Sequence, residues 1–63
     1  MAYWAAKIKF LKGNDRIIRS LYSDRDEAME RAEREAALEN ERIVISDSSD
    51  RAFPDVVEFS VSE

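Results

Sequence analysis

Sixty-three residues carry 10 Lys and Arg against 14 Asp and Glu, a formal net charge of −4, with neither cysteine nor histidine. That composition excludes disulfides, Cys- or His-based nucleophile–base pairs and ordinary zinc sites. The acidic balance also works against general attraction to nucleic acid or an anionic membrane. At this length the chain reads as a single domain, residues 1–63, near the lower limit for folding alone, where a partner subunit often supplies missing burial. No apolar run is long enough to span a bilayer and no leader precedes a cleavage site, so a cytoplasmic, non-membrane protein is expected.

The opening segment "YWAAKIKFLK" alternates, with Trp4, Ala6, Ile8 and Phe10 on one side and Ala5, Lys7 and Lys9 on the other. That is the period of a half-buried strand. "GND" holds the only glycine and signals a turn, and "RIIRSLYS" closes a hairpin as the second strand. A three-residue loop at Gly13–Asp15 puts Ile18, Ser20 and Tyr22 on the Trp4 side. A two-residue loop at Gly13–Asn14 puts Ile17, Arg19 and Leu21 there instead, because a one-residue slip reverses a strand's faces. The first is preferred, since it keeps Arg19 out of the core.

Ser23 and Asp24 then open a helix, and Asp24 with Glu27 forms a D-x-x-E start related to the capping box. Ala28, Met29, Ala32 and Ala36 share one narrow face, while Glu27–Arg31 and Glu30–Arg34 are i,i+4 pairs on the exposed side. The helix is expected to stop near Asn40. "RIVIS" then reads as a third strand, "DSSDRAFPD" as a loop, and "VVEFSVS" as a fourth strand with Val57, Phe59 and Val61 alternating against Glu58, Ser60 and Ser62. The expected fold is α+β, a two-layer ββαββ arrangement with one helix on a small, mostly antiparallel four-stranded sheet.

In that arrangement the alanines let the helix approach closely, and the sheet supplies the bulk through Trp4, Ile8, Phe10, an isoleucine of the third strand and Phe59. One helix covers one face only. The other face then collects Leu11, one of Ile17 and Ile18, one of Leu21 and Tyr22, part of the Ile43–Ile45 run, and Val56. Lys7, Lys9, Arg19 or Ser20, and Glu58 are interleaved with them. A mixed, partly apolar face on so small a domain suggests a contact surface, and self-association as a two-fold dimer is its simplest cover. Lys7, Lys9, Leu11, Arg16, Arg19, Val56 and Glu58 are therefore the expected interaction residues, with the helix face Glu27, Glu30, Arg31 and Arg34 second.

Other readings are weaker. Lys7, Lys9, Lys12, Arg16 and Arg19 near Tyr3, Trp4 and Tyr22 have the ingredients of a single-stranded nucleic-acid platform, but the net charge opposes it. The acidic helix could imitate a nucleic-acid backbone, though its arginines compensate the charge. "SDSSD" lacks the glycine and closing glutamate of a calcium loop and reads as a hydrogen-bonded turn. No carboxylate pair is forced into a cleft and no serine has a base beside it, so no catalytic residue, cofactor or metal is expected and the protein is not read as an enzyme.

A hairpin running into "SDRDEAMERA", then "RIVISD" and "VVEFSV", resembles small phage and mobile-element proteins of the DpnD/PcfM-like group. The resemblance implies a small accessory protein that binds or inhibits a host protein, and it carries over no catalytic residues. The sequence thus points to a non-enzymatic protein-binding module, expected as a homodimer with a protein partner.

Overall fold

The computed structural model describes residues 1–60. Three strands and one helix follow in the order β1 (Ala2–Phe10), β2 (Arg16–Tyr22), α1 (Arg25–Ile45) and β3 (Ala52–Ser60). They form a three-stranded antiparallel sheet, β2-β1-β3, with the helix against one side. The class is α+β, as expected, but the four-stranded ββαββ arrangement is wrong. "RIVIS" is the last part of the helix. Nothing between Glu39 and Ile45 breaks a helix, and Ile43 falls seven positions after Ala36, on the same inner face. There it packs against the Ile8–Ala36–Ala52 core. That burial outweighs the few tenths of a kcal/mol by which β-branched residues disfavour helix, about 0.5 each.

Both helix ends are closed by local chemistry. Asp24 is the N-cap, its carboxylate accepting from the Asp26 amide at 3.0 Å. At the other end the Ser48 amide donates to the Ile43 carbonyl at 3.1 Å and the Asp47 amide to Val44 at 3.2 Å. Asp47 itself takes the left-handed conformation, φ 56°. This is a Schellman turn with aspartate where glycine is usual. "SDSSD" is thus the stop signal that Asn40 was expected to be.

Trp4, Ala6, Ile8 and Phe10 face the helix, and the hairpin register sets Ile8 opposite Arg16 and Trp4 opposite Tyr22. Ile18, Ser20 and Tyr22 therefore share the Trp4 side, as expected, but not through the expected three-residue loop at Gly13–Asp15: β1 ends at Phe10, β2 begins at Arg16, and the closing pair is Ile8–Arg16. Between the Ala5–Leu21 and Lys7–Ile17 pairs the register shifts, so that Ile18, Arg19 and Ser20 face the single residue Ala6. The helix lies over β1 and β3 and scarcely touches β2. Its buried residues are Ala28, Ala32 and Ala36, the expected stripe.

Strand β3 departs from expectation in length and in orientation. It begins at Ala52, so Ala52–Asp55, read as loop, are strand. Its register pairs Ala6 with Val56 and Trp4 with Glu58, which puts both on the helix side, while Val57 and Phe59 lie on the outer side. The alternation was legible, but the side was not, because two adjacent valines fit either. Val61 and Ser62, expected at the end of this strand, lie outside the described residues.

The Leu11 amide donates to the Arg51 carbonyl at 2.9 Å. Given the alternation of an antiparallel ladder, the even-numbered backbone groups of β3 therefore point away from β1. Along Ala52–Val56 the outward amides are occupied or absent, and the Ala52 carbonyl is occupied as well. The Ala52 amide donates to Asn40 Oδ1 at 2.8 Å, and Asn40 Nδ2 donates to the Ala52 carbonyl at 3.0 Å. Pro54 has no amide hydrogen, and the Val56 amide donates to the Asp55 carboxylate at 2.8 Å. This is how an edge strand is protected from further pairing.

The core is thin. Its buried apolar residues are Ile8 and six alanines, at positions 5, 6, 28, 32, 36 and 52. The molecule extends 47 × 18 × 13 Å with a radius of gyration of 12.8 Å, where a compact chain of this length would have about 10.6 Å.

Candidate functional site

The sheet face away from the helix divides into two halves. Ala5 is opposite Leu21 and Val57, and Tyr3 is opposite Phe59. These five residues make an apolar half that no element of the fold covers. Leu21 is 61% exposed and Phe59 41%, while Ala5 between its neighbours is closed off. Toward the hairpin loop lies a charged half, where Lys7, Lys9 and Asp55 alternate with Ile17 and Phe53. Lys7 pairs with Asp15 at 3.2 Å and Lys9 with Asp55 at 3.9 Å.

The expected interaction residues do not all come together. Lys7, Lys9 and Arg19 are on the outer face. Val56 and Glu58 are on the helix side, for the register reason already given. Arg16 is also on the helix side, bridging to Glu39 at 3.2 Å. Leu11 lies beyond the strand and lines a shallow groove with Ile43, Val44 and Asp50. Leu21, Tyr3, Ala5, Val57 and Phe59 replace them as the centre of the apolar surface. The sequence signal for Leu21 was present in the preferred hairpin register, which sends odd-numbered β2 residues outward.

Three of the five basic hairpin side chains, Lys7, Lys9 and Arg16, are ion-paired within their own fold. Besides the pairs of Lys7, Lys9 and Arg16, the Lys12 ammonium meets Ser49 and its amide donates to Asp50 at 2.9 Å. Asp50 accepts a second amide, from Arg51, at 2.7 Å. The Lys12 and Arg51 amides, in that order, hold its carboxyl below the ordinary value of 3.8. The hairpin loop is thus clasped to the turn before β3. A cationic surface committed to internal partners is a poor track for phosphates.

On the helix, Glu27, Glu30, Arg31 and Arg34 line an open groove beside Tyr22. Arg31 turns away from Glu27. It donates to Glu35 at 3.0 Å and to the Tyr22 hydroxyl at 3.1 Å. Those two partners, Tyr22 first, raise its pKa further. Arg25 stacks over Trp4, 5.9 Å from the ring centre. These contacts tie the helix to the sheet and leave the face mixed in sign, unlike a phosphate backbone. Val44 and Ile45, expected in a strand, are exposed on the last turn of the helix.

Among the described residues no group of acidic side chains is arranged to hold a metal ion, and no helix is long and apolar enough to cross a membrane. No family model, curated protein or solved structure matches the chain.

Proposed function

We propose that this chain is a non-enzymatic protein-binding module that self-associates as a homodimer and presents its uncovered sheet face to a protein partner. The observation that carries this reading is the apolar half-face of Tyr3, Ala5, Leu21, Val57 and Phe59. It is contiguous across all three strands, which separates it from the scattered apolar residues of an ordinary surface. The thin alanine core supports the self-association, because a second copy supplies burial that the single chain lacks. The resemblance of the helix start and the "VVEFSV" segment to DpnD/PcfM-like proteins favours a small phage or mobile-element accessory protein acting in the cytoplasm on a host component.

Light scattering over a range of concentrations tests the self-association. A mass of two chains that persists as salt is raised is expected, since apolar contact is not screened. Leu21→Lys should shift the mass toward one chain. A single-chain mass at every concentration would overturn the homodimer.

A further inference from the structure

We propose that two copies of this chain join through β2, antiparallel and edge to edge, into one continuous six-stranded sheet; this rests on the reading above that the chain self-associates. The two edges of the sheet are unlike. On β3, Asn40, Pro54 and Asp55 occupy or remove the outward amides from Ala52 to Val56, and Asn40 also takes the Ala52 carbonyl. On β2, among the described residues, no side chain bonds an outward amide and no proline removes one; its protection is limited to Arg16, Arg19 and the bulge. Ile17 and Leu21 turn their amides and carbonyls outward, because the even-numbered residues Arg16 and Tyr22 are the ones aligned with Ile8 and Trp4 for bonding within the sheet; Arg19 between them belongs to the bulge. At the register shift, β1 offers one residue against three of β2, so part of that backbone is left over as well.

Sterics and charge fit a second copy. The helix sits over β1 and β3, so in the joined sheet the two helices stand about four strand spacings apart, roughly 19 Å. That exceeds the ~10 Å of packed helices, and neither blocks the approach. Charge is uneven along β2. Asp15 and Arg16 at its start balance, with Arg16 already bridged to Glu39, while Asp24, Arg25, Asp26 and Glu27 after its end carry a net negative charge. Antiparallel pairing keeps the two acidic ends apart, whereas parallel pairing sets them side by side.

The register follows from the same side chains. Two-fold alignments that keep the outward groups bonded are centred on Ile18, Arg19 or Ser20. Centring on Arg19 sets two guanidinium groups directly opposite, which is unfavourable. Centring on Ile18 sets Asp15 against Leu21 of the second copy. Centring on Ser20 instead sets Ile18 against Tyr22 and brings Arg16 to the acidic turn at Asp24. It also sets Leu21 of each copy opposite Arg19 of the other, beside the axis on the outer face. The two apolar half-faces then lie on the same side of the joined sheet, with the Arg19 side chains at the seam between them.

The chain has no cysteine, so a single introduced thiol reports the geometry. In the Ser20-centred register the two copies of position 20 form a non-hydrogen-bonded pair, with Cα atoms about 4.5 Å apart, within disulfide range. Under mild oxidation Ser20→Cys should yield a covalent dimer at least ten times faster than Ser49→Cys on the exposed turn or Phe59→Cys on the outer face. A mixture of Ile18→Cys and Tyr22→Cys chains should link to each other in preference to themselves, which covers the case of a Ser20 variant that folds poorly. A two-chain mass with fast linking at Phe59→Cys and none at Ser20→Cys would overturn edge pairing and leave self-association intact. Equal linking at Ser20→Cys and Ser49→Cys would overturn it too, as chance collision. A single-chain mass without selective linking would overturn both.

Discussion

The two faces of this sheet are built from similar side chains and meet different fates. On the helix side Ile8 is fully buried; opposite its neighbour Lys7, on the outer side, Ile17 is 46% exposed. Phe10 packs into the core while Phe53 and Phe59 do not. Hydrophobicity alone does not separate these residues. Cover does, and one helix with a stripe of alanines covers one side of β1 and β3. The contribution of an apolar residue to stability should then track the side it occupies.

Ile8→Ala tests the covered side most severely. It removes the only large, fully buried side chain among the described residues and should cost about 3 kcal/mol, read as a lowered urea midpoint. Asn40→Ala comes next. It strips both partners from the Ala52 edge and should cost about 1–2 kcal/mol. If it cost nothing, water would be replacing Asn40 without loss, and the protection assigned to the β3 edge would fail.

The clasp at Asp50 gives a smaller, pH-dependent effect. Its carboxyl titrates lower in the folded chain than in the unfolded one, so its contribution is present above the unfolded value and is lost as pH falls through the folded value. Wild type and Asp50→Asn should therefore differ more in urea midpoint at pH 7 than at pH 3. Asp47→Gly should raise stability by about 0.5 kcal/mol by relieving the left-handed aspartate. Leu21→Lys, on the uncovered side, should change the stability of the single chain by less than about 0.5 kcal/mol while weakening self-association. A large loss of single-chain stability there would mean that Leu21 is core, and would erase the contrast between the faces.

How far such a contrast could be read from the chain depends on the element. The hairpin, the Asp24 cap and the Ala28–Ala32–Ala36 stripe were legible, because each rests on local chemistry. The end of the helix was not. "RIVIS" has strand composition, and only the packing of Ile43 against Ile8 and Ala52, a contact distant along the chain, makes it helical. The side of β3 was not legible either, since "VVEF" offers two valines of opposite parity and the choice rests on pairing with β1. That one ambiguity moved Val56 and Glu58 out of the expected surface and brought Val57 and Phe59 into it.

The central strand β1 is paired on one side with its immediate successor and on the other with β3, so that Ala2 is aligned with Ser60. Half of its ladder must wait until the chain has closed a loop spanning nearly everything between them. Closure of that kind is slow relative to hairpin and helix formation. A β1–β2–α1 species with one bare flank on β1 should therefore accumulate early in refolding, and docking of β3 should set the rate at which native molecules appear.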